Sequence, residues 1–240
     1  MKIKFQIDLE YDLNMVVYML RGAGWEHRAK RMNLPLEIVE KVHNSSESDL
    51  PKAVDFLRKE VQKTYKNLDP YMVSTKNEFQ NSWDNIIEDF SNLVEKKTHS
   101  WFYDEYICNI TNYNPGLSNW NGNVVGRWWK ENPYLQRRIT AHEILLAHYF
   151  SIHRNNYKDS GLLNKQIWAL AEISSFALTG LDEDLRKFWI WDTRGYYTDH
   201  NYPELVKLQN ALKEPFVNRT SFDEYIEKGI EIVKQMYNPE

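Results

Sequence analysis

The stretch from Asn132 to His153 constrains this chain more than any other. An Asn suits the position that caps a helix, and a Pro costs nothing at the first helical position because its missing N–H would have no partner there. Asn132 and Pro133 stand in that order, and the periodicity behind them predicts a helix over about 133–153. Leu135, Ile139, His142, Leu146, Tyr149 and His153 recur at helical spacing and form one stripe. His142 therefore lies on an apolar face, where an imidazole needs a backbone group, a carboxylate or a metal as partner.

The chain before this helix reads as mostly helical. Residues 2–8 alternate, with Ile3, Phe5 and Ile7 on one face of a short strand. A helix follows through Leu20 and ends near Gly22 and Gly24. Another is expected over 35–44, and another over 50–65 with Pro51 in its first turn. A long charged pattern over 70–98 begins at Pro70. From 101 to 131 the style changes: aromatic and β-branched residues run from Trp101 to Thr111. Turns are marked by Asn114-Pro115-Gly116 and Asn121-Gly122, and Val124 to Trp129 reads as a strand. After the central helix come helices over 162–179, 182–191, 203–213 and 221–237, the last capped by Ser221 or Asp223, with a loop over 195–203. No repeat or low-complexity tract occurs. The expectation is one domain over 1–240, mainly α with a small β-sheet (α+β), built from a helical half at 1–100 and a second half at 101–240.

Composition narrows the function classes. Nine Trp and fifteen Tyr in 240 residues supply a sizeable core. A net charge of -4 points to no nucleic-acid partner, and the cluster Arg28, Lys30 and Arg31 suits a solvated helix face. No apolar stretch reaches membrane-spanning length. Cys108 is alone, so neither a disulfide framework nor a cysteine zinc cluster is expected; it reads as a small buried hydrophobe. The first residues lack the apolar core of a signal peptide, and a cytoplasmic location is expected. Phosphate-binding glycine loops, Gly-x-Ser-x-Gly elbows and Cys-x-x-Cys pairs are absent from the sequence.

The chemistry-bearing residues lie on the central helix and its successor. A His-Glu-x-x-His helix presents two imidazoles one turn apart, with the Glu beside them as general base. Here His142 and Glu143 are followed, one turn on, by Leu146. His148 is six residues from His142 and points roughly 120° away on a regular helix; His153 shares the face but lies about 16 Å up the axis. Glu172 has Trp168, Ala169, Ser175 and Phe176 as face neighbours, surroundings in which a carboxylate must be paired or ligated. Two antiparallel helices joined near 154–161 would bring it to His142.

The stretch 101–180 resembles the gluzincin-type zinc metallopeptidases and the HExxH-containing bacterial proteins near them. The order is similar: an edge strand at Asn123-Val124-Val125-Gly126, then the helix with Thr140-Ala141-His142-Glu143-Ile144-Leu145, then a helix carrying a separate Glu. The resemblance implies a zincin-like metallopeptidase fold for 101–240. It implies His142 and Glu172 as metal ligands and Glu143 as the base that activates water. Leu146 stands where the family has its second His, so a zinc ion would need a third ligand from His148 or His200. The leading expectation is a degenerate site with little or no hydrolysis that binds a peptide, protein or small ligand in the former cleft. Two others stand beside it. One is a helical interaction or regulatory protein without peptidase ancestry, in which His142 and Glu172 are core polar groups. The other is an active zinc peptidase, in which metal-bound water attacks the peptide carbonyl and Glu143 takes the proton. Tyr197 and His200 fall in a loop of the kind that supplies transition-state donors in peptidases, and read equally as aromatic anchors of a surface loop. Trp128 and Trp129 read as core and rim.

Overall fold

A computed structural model describes residues 1–22, 24–113, 116–118, 122–133, 135–189 and 203–238. The first strand, β1 (Lys2–Gln6), buries Ile3 and Phe5 as their alternation requires. It stops where Asp8 caps α1 (Leu9–Arg21): the Asp8 carboxylate accepts from the backbone N–H of Glu10 at 3.0 Å and of Tyr11 at 3.1 Å. Then follow α2 (Trp25–Met32), α3 (Leu36–Asn44), α4 (Leu50–Asp84) and α5 (Ile87–Lys97). The second half holds β2 (Glu105–Thr111), β3 (Gly116–Ser118), β4 (Val124–Trp128), α6 (Gln136–Asn156), α7 (Asn164–Gly180), α8 (Val206–Val217) and α9 (Phe222–Met236). The molecule is thus mainly helical with a small sheet, an α+β arrangement. No helix among the described residues is long and apolar enough to cross a membrane.

The sheet has the order β1-β2-β4-β3. β2 lies parallel to both β1 and β4, with Ile3 opposite Tyr106 and Cys108 opposite Val125, while β3 is antiparallel to β4. Parallel neighbours need a crossover, and the five helices α1 to α5 supply the one between β1 and β2. The strand from the helical first half therefore belongs to the sheet of the second. The exposed side of β1 is closed by one residue of α4: Gln80 accepts from the Phe5 N–H at 2.8 Å and donates to the Ile3 carbonyl at 3.0 Å. This satisfies an edge that would otherwise offer itself to another strand.

Several boundaries differ from the sequence reading, each for a local reason. The patterns at 50–65 and 70–98 are one 35-residue helix up to Asp84, and Pro70 lies inside it. Pro70 and Lys66 are both on the exposed face, where water can serve the carbonyl that the proline ring leaves without an N–H. The break falls instead at Asn85, whose side-chain amide bonds the Asn81 carbonyl at 2.9 Å. The central helix starts at Gln136, three residues late, although the Asn132 carbonyl accepts from the N–H groups of Leu135 and Gln136 at 2.9 and 3.1 Å, as a carbonyl at a helix start does. The helix expected over 182–191 is a short 3-10 turn, Leu185–Phe188, held by the Asp182 carboxylate. The strand read as an edge at 123–126 is interior, since β4 pairs with β2 on one side and β3 on the other. The expected turns at 114–115 and 121, and the loop with Tyr197 and His200, lie outside the described residues.

The stripe read on the central helix understates its burial. From Thr140 to His153 every residue but the half-buried Glu143 is buried, so α6 is enclosed on all sides. It packs on α7, on β4 and β3, and on α4. Its contact with the sheet includes a fully buried cation: Arg127 donates from Nε to Thr140 Oγ1 at 3.2 Å and from Nη2 to Glu131 at 3.0 Å. A buried guanidinium without such partners would cost several kcal/mol.

On its other side α7 packs against α9 at a glycine. A Cβ at Gly229 would meet Leu170 Cδ1 at 2.7 Å. Gly229→Ala should therefore lower stability by up to about 2 kcal/mol, an overpacking cost of about 1–3 kcal/mol offset by about 1 kcal/mol from alanine's helix propensity. Chemical denaturation checks this, and a stabilised variant would sink the packing argument.

Candidate functional site

Helices α6 and α7 run side by side, and their facing surfaces bring His142 and Glu172 together. His142 Nε2 lies 3.2 Å from Glu172 Oε2, and both side chains are almost wholly buried. The rest of the cluster comes from one face of α7, where Trp168, Glu172 and Phe176 are spaced four residues apart. The Trp168 indole donates to Glu172 Oε1 at 3.1 Å, so both carboxylate oxygens have partners. The Phe176 ring stacks on the imidazole with centroids 4.1 Å apart. Ser175, on the adjoining face, donates to the His142 backbone carbonyl at 2.7 Å. Chemically, this is a carboxylate–imidazole pair clamped between an indole and a phenyl ring.

The other residues singled out in the sequence point elsewhere. Glu143 is half-buried, and its charge acts on two other groups: burial raises the pKa of the Tyr11 phenol and the Cys108 thiol, and the Glu143 carboxylate adds to both shifts. His148 is on a different face of α6. Its Nε2 lies 3.3 Å from Thr98 Oγ1 and 3.2 Å from the His99 carbonyl, and its ring packs 4.4 Å from Trp101. Burial pushes its pKa down to about 3, so the ring stays neutral. His153 bonds Ser160 Oγ at 3.1 Å. His200 and Tyr197 lie outside the described residues. Cys108 is fully buried.

A catalytic zinc takes three protein ligands, and a ligating imidazole usually donates its second nitrogen to an oxygen that fixes its orientation. Leu146, buried, occupies the position one turn beyond His142. His142 Nδ1 is buried and has no hydrogen-bond partner among the described residues. Nowhere among the described residues do three His, Cys, Asp or Glu side chains gather as a metal site. The described donor set is two groups that bond each other, and it does not fit a catalytic zinc.

Two buried charges escaped the sequence reading. Asp12, fully buried, accepts from Tyr65 Oη and the Asn112 N–H, each at 2.7 Å, and from the Tyr113 N–H at 3.2 Å. Burial outweighs these donors and raises its pKa to about 6. In sequence it looks like any acid in the first turn of a helix. Arg127 did leave a signal: a lone cation in an apolar strand, with Glu131 four residues on.

Searches against protein-family models, curated proteins and solved structures found no match for this chain.

Glu172→Ala would strand the imidazole and the Trp168 indole without their acceptor. Removing one partner of a buried bond costs about 1–3 kcal/mol, and a loss below about 0.5 kcal/mol, the range of an ordinary surface change, would show that the pair does not hold α6 to α7. For His148 the folded pKa lies below the unfolded one, so its contribution is complete above pH 6.5 and is lost as pH falls, because only the unfolded chain takes up the proton. Between pH 7 and 5 the wild type should lose about 1–2 kcal/mol more than His148→Gln. Parallel pH curves for the two proteins would refute the buried neutral ring.

Proposed function

We propose that this protein is a relative of the zinc metallopeptidases whose metal site has lost a ligand, and that it binds a peptide or protein rather than hydrolysing one. The observation that carries the reading is the pair itself. His142 and Glu172 face each other at 3.2 Å on consecutive helices, and a leucine stands one turn beyond the histidine. With that leucine in place the two groups serve each other, and the pair fixes α6 on α7 instead of holding a metal. Water activation then has no centre, and Glu143 is a half-buried acid of α6. A cytoplasmic location accords with the single buried cysteine.

A second reading, a helical interaction protein with no peptidase ancestry, is favoured by one feature. The strand expected at the edge of the sheet is interior, paired on both sides.

Metal analysis of protein purified without a histidine tag separates these readings when it is combined with Leu146→His. The wild type is expected to hold far less than one zinc per chain and to leave a labelled casein intact. Stoichiometric zinc that disappears in His142→Ala would overturn the inactive reading. Leu146→His places an imidazole one turn from His142, and a gain of zinc affinity is expected. Failure to gain zinc in a folded variant would transfer the case to the second reading.

A further inference from the structure

Behind the histidine pair, α6, α7 and α9 enclose a small cavity lined by His148, Tyr149, Ser174, Ser175, Thr98 and Phe222, among others. Its volume, about 10 Å³ for the centre of a water molecule, is on the order of what one water occupies. Two of the lining residues carry buried polar atoms that no group among the described residues satisfies, Nδ1 of His148 and Oη of Tyr149.

The hydrogen-bond inventory says what each atom lacks. The His99 carbonyl, 3.2 Å from His148 Nε2, can only accept, so that nitrogen carries the ring proton. Thr98 Oγ1 already donates to the Val94 carbonyl at 2.8 Å and faces the same nitrogen as an acceptor. His148 Nδ1 is therefore a lone pair in need of a donor. The Tyr149 phenol is a donor in need of an acceptor. Adjacent residues of a helix point about 100° apart and do not face each other, so these two cannot serve each other directly. Ser174 and Ser175 have spent their hydroxyl protons on the carbonyls of Leu170 at 2.6 Å and His142 at 2.7 Å, which leaves their oxygens as acceptors.

We propose that this cavity is a binding site for one structural water. The water accepts from the Tyr149 phenol, donates one proton to His148 Nδ1 and donates the other to a seryl oxygen of α7. One molecule so placed satisfies both orphaned atoms and ties α6 to α7. Through Ser175 the same network reaches the backbone of His142.

High-resolution crystallography and oxygen-17 relaxation dispersion test this. A single density peak within hydrogen-bond distance of His148 Nδ1 and Tyr149 Oη is expected, with one long-lived internal water that is lost in Tyr149→Phe. A dry cavity, or a His148 Nδ1 bonded directly to another protein group, overturns the proposal. A dispersion amplitude unchanged in folded Tyr149→Phe overturns it as well. The wild-type density decides the matter even if that variant does not fold.

Discussion

The burial of α6 on every side is the constraint from which the rest of the structure follows. A surface helix leaves its polar side chains to water. This one is enclosed from Thr140 to His153 apart from Glu143, so its polar side chains are placed where groups on its neighbours can match them. His142 meets Glu172 of α7, Thr140 meets Arg127 of β4, and His148 meets the carbonyl of His99. These matches come from three directions and set how α7, the sheet and the segment after α5 sit around the helix. Apolar contacts alone would tolerate small rotations of α6, whereas hydrogen bonds on several faces do not.

The same constraint explains the chemistry of the central pair. An imidazole and a carboxylate that bond each other inside an apolar seat are a stabilising unit, and their stacking against Phe176 and bond to Trp168 hold both rings and the carboxylate in one orientation. In a metal site these atoms would turn to the ion, and a further residue would complete the shell. Leu146, one turn beyond His142, is buried and adds to the core. Within the structure the pair joins α6 to α7.

Much of this was legible in the residues because the relevant rules are local. The spacing around His142 and Glu172, and the short connection between their helices, made their meeting an expectation, and α6 and α7 bring them to 3.2 Å. Helical angles alone set His148 apart from His142. Legibility failed where a local signal had a tertiary answer. Pro70 reads as a helix start, yet it sits inside α4 because its face is exposed and water can complete the interrupted bonding. Asn132 and Pro133 read as a cap and first turn, yet α6 begins only at Gln136. Asp12 reads as a solvated acid and is fully buried beneath Tyr65 and the chain after β2.

By itself the sequence determined that most of the chain is helical, that one face of α6 is apolar, and that His142 and Glu172 require a partner, since these depend on periodicity and on the cost of burying charge. Only the tertiary structure decided that β1 lies beside β2 a hundred residues away and that β4 is interior, because parallel pairing is set by contacts remote in sequence. It also decided that α6 is covered on every face. A helix pattern shows the side that must be buried, and it carries no record of how much else packs around it.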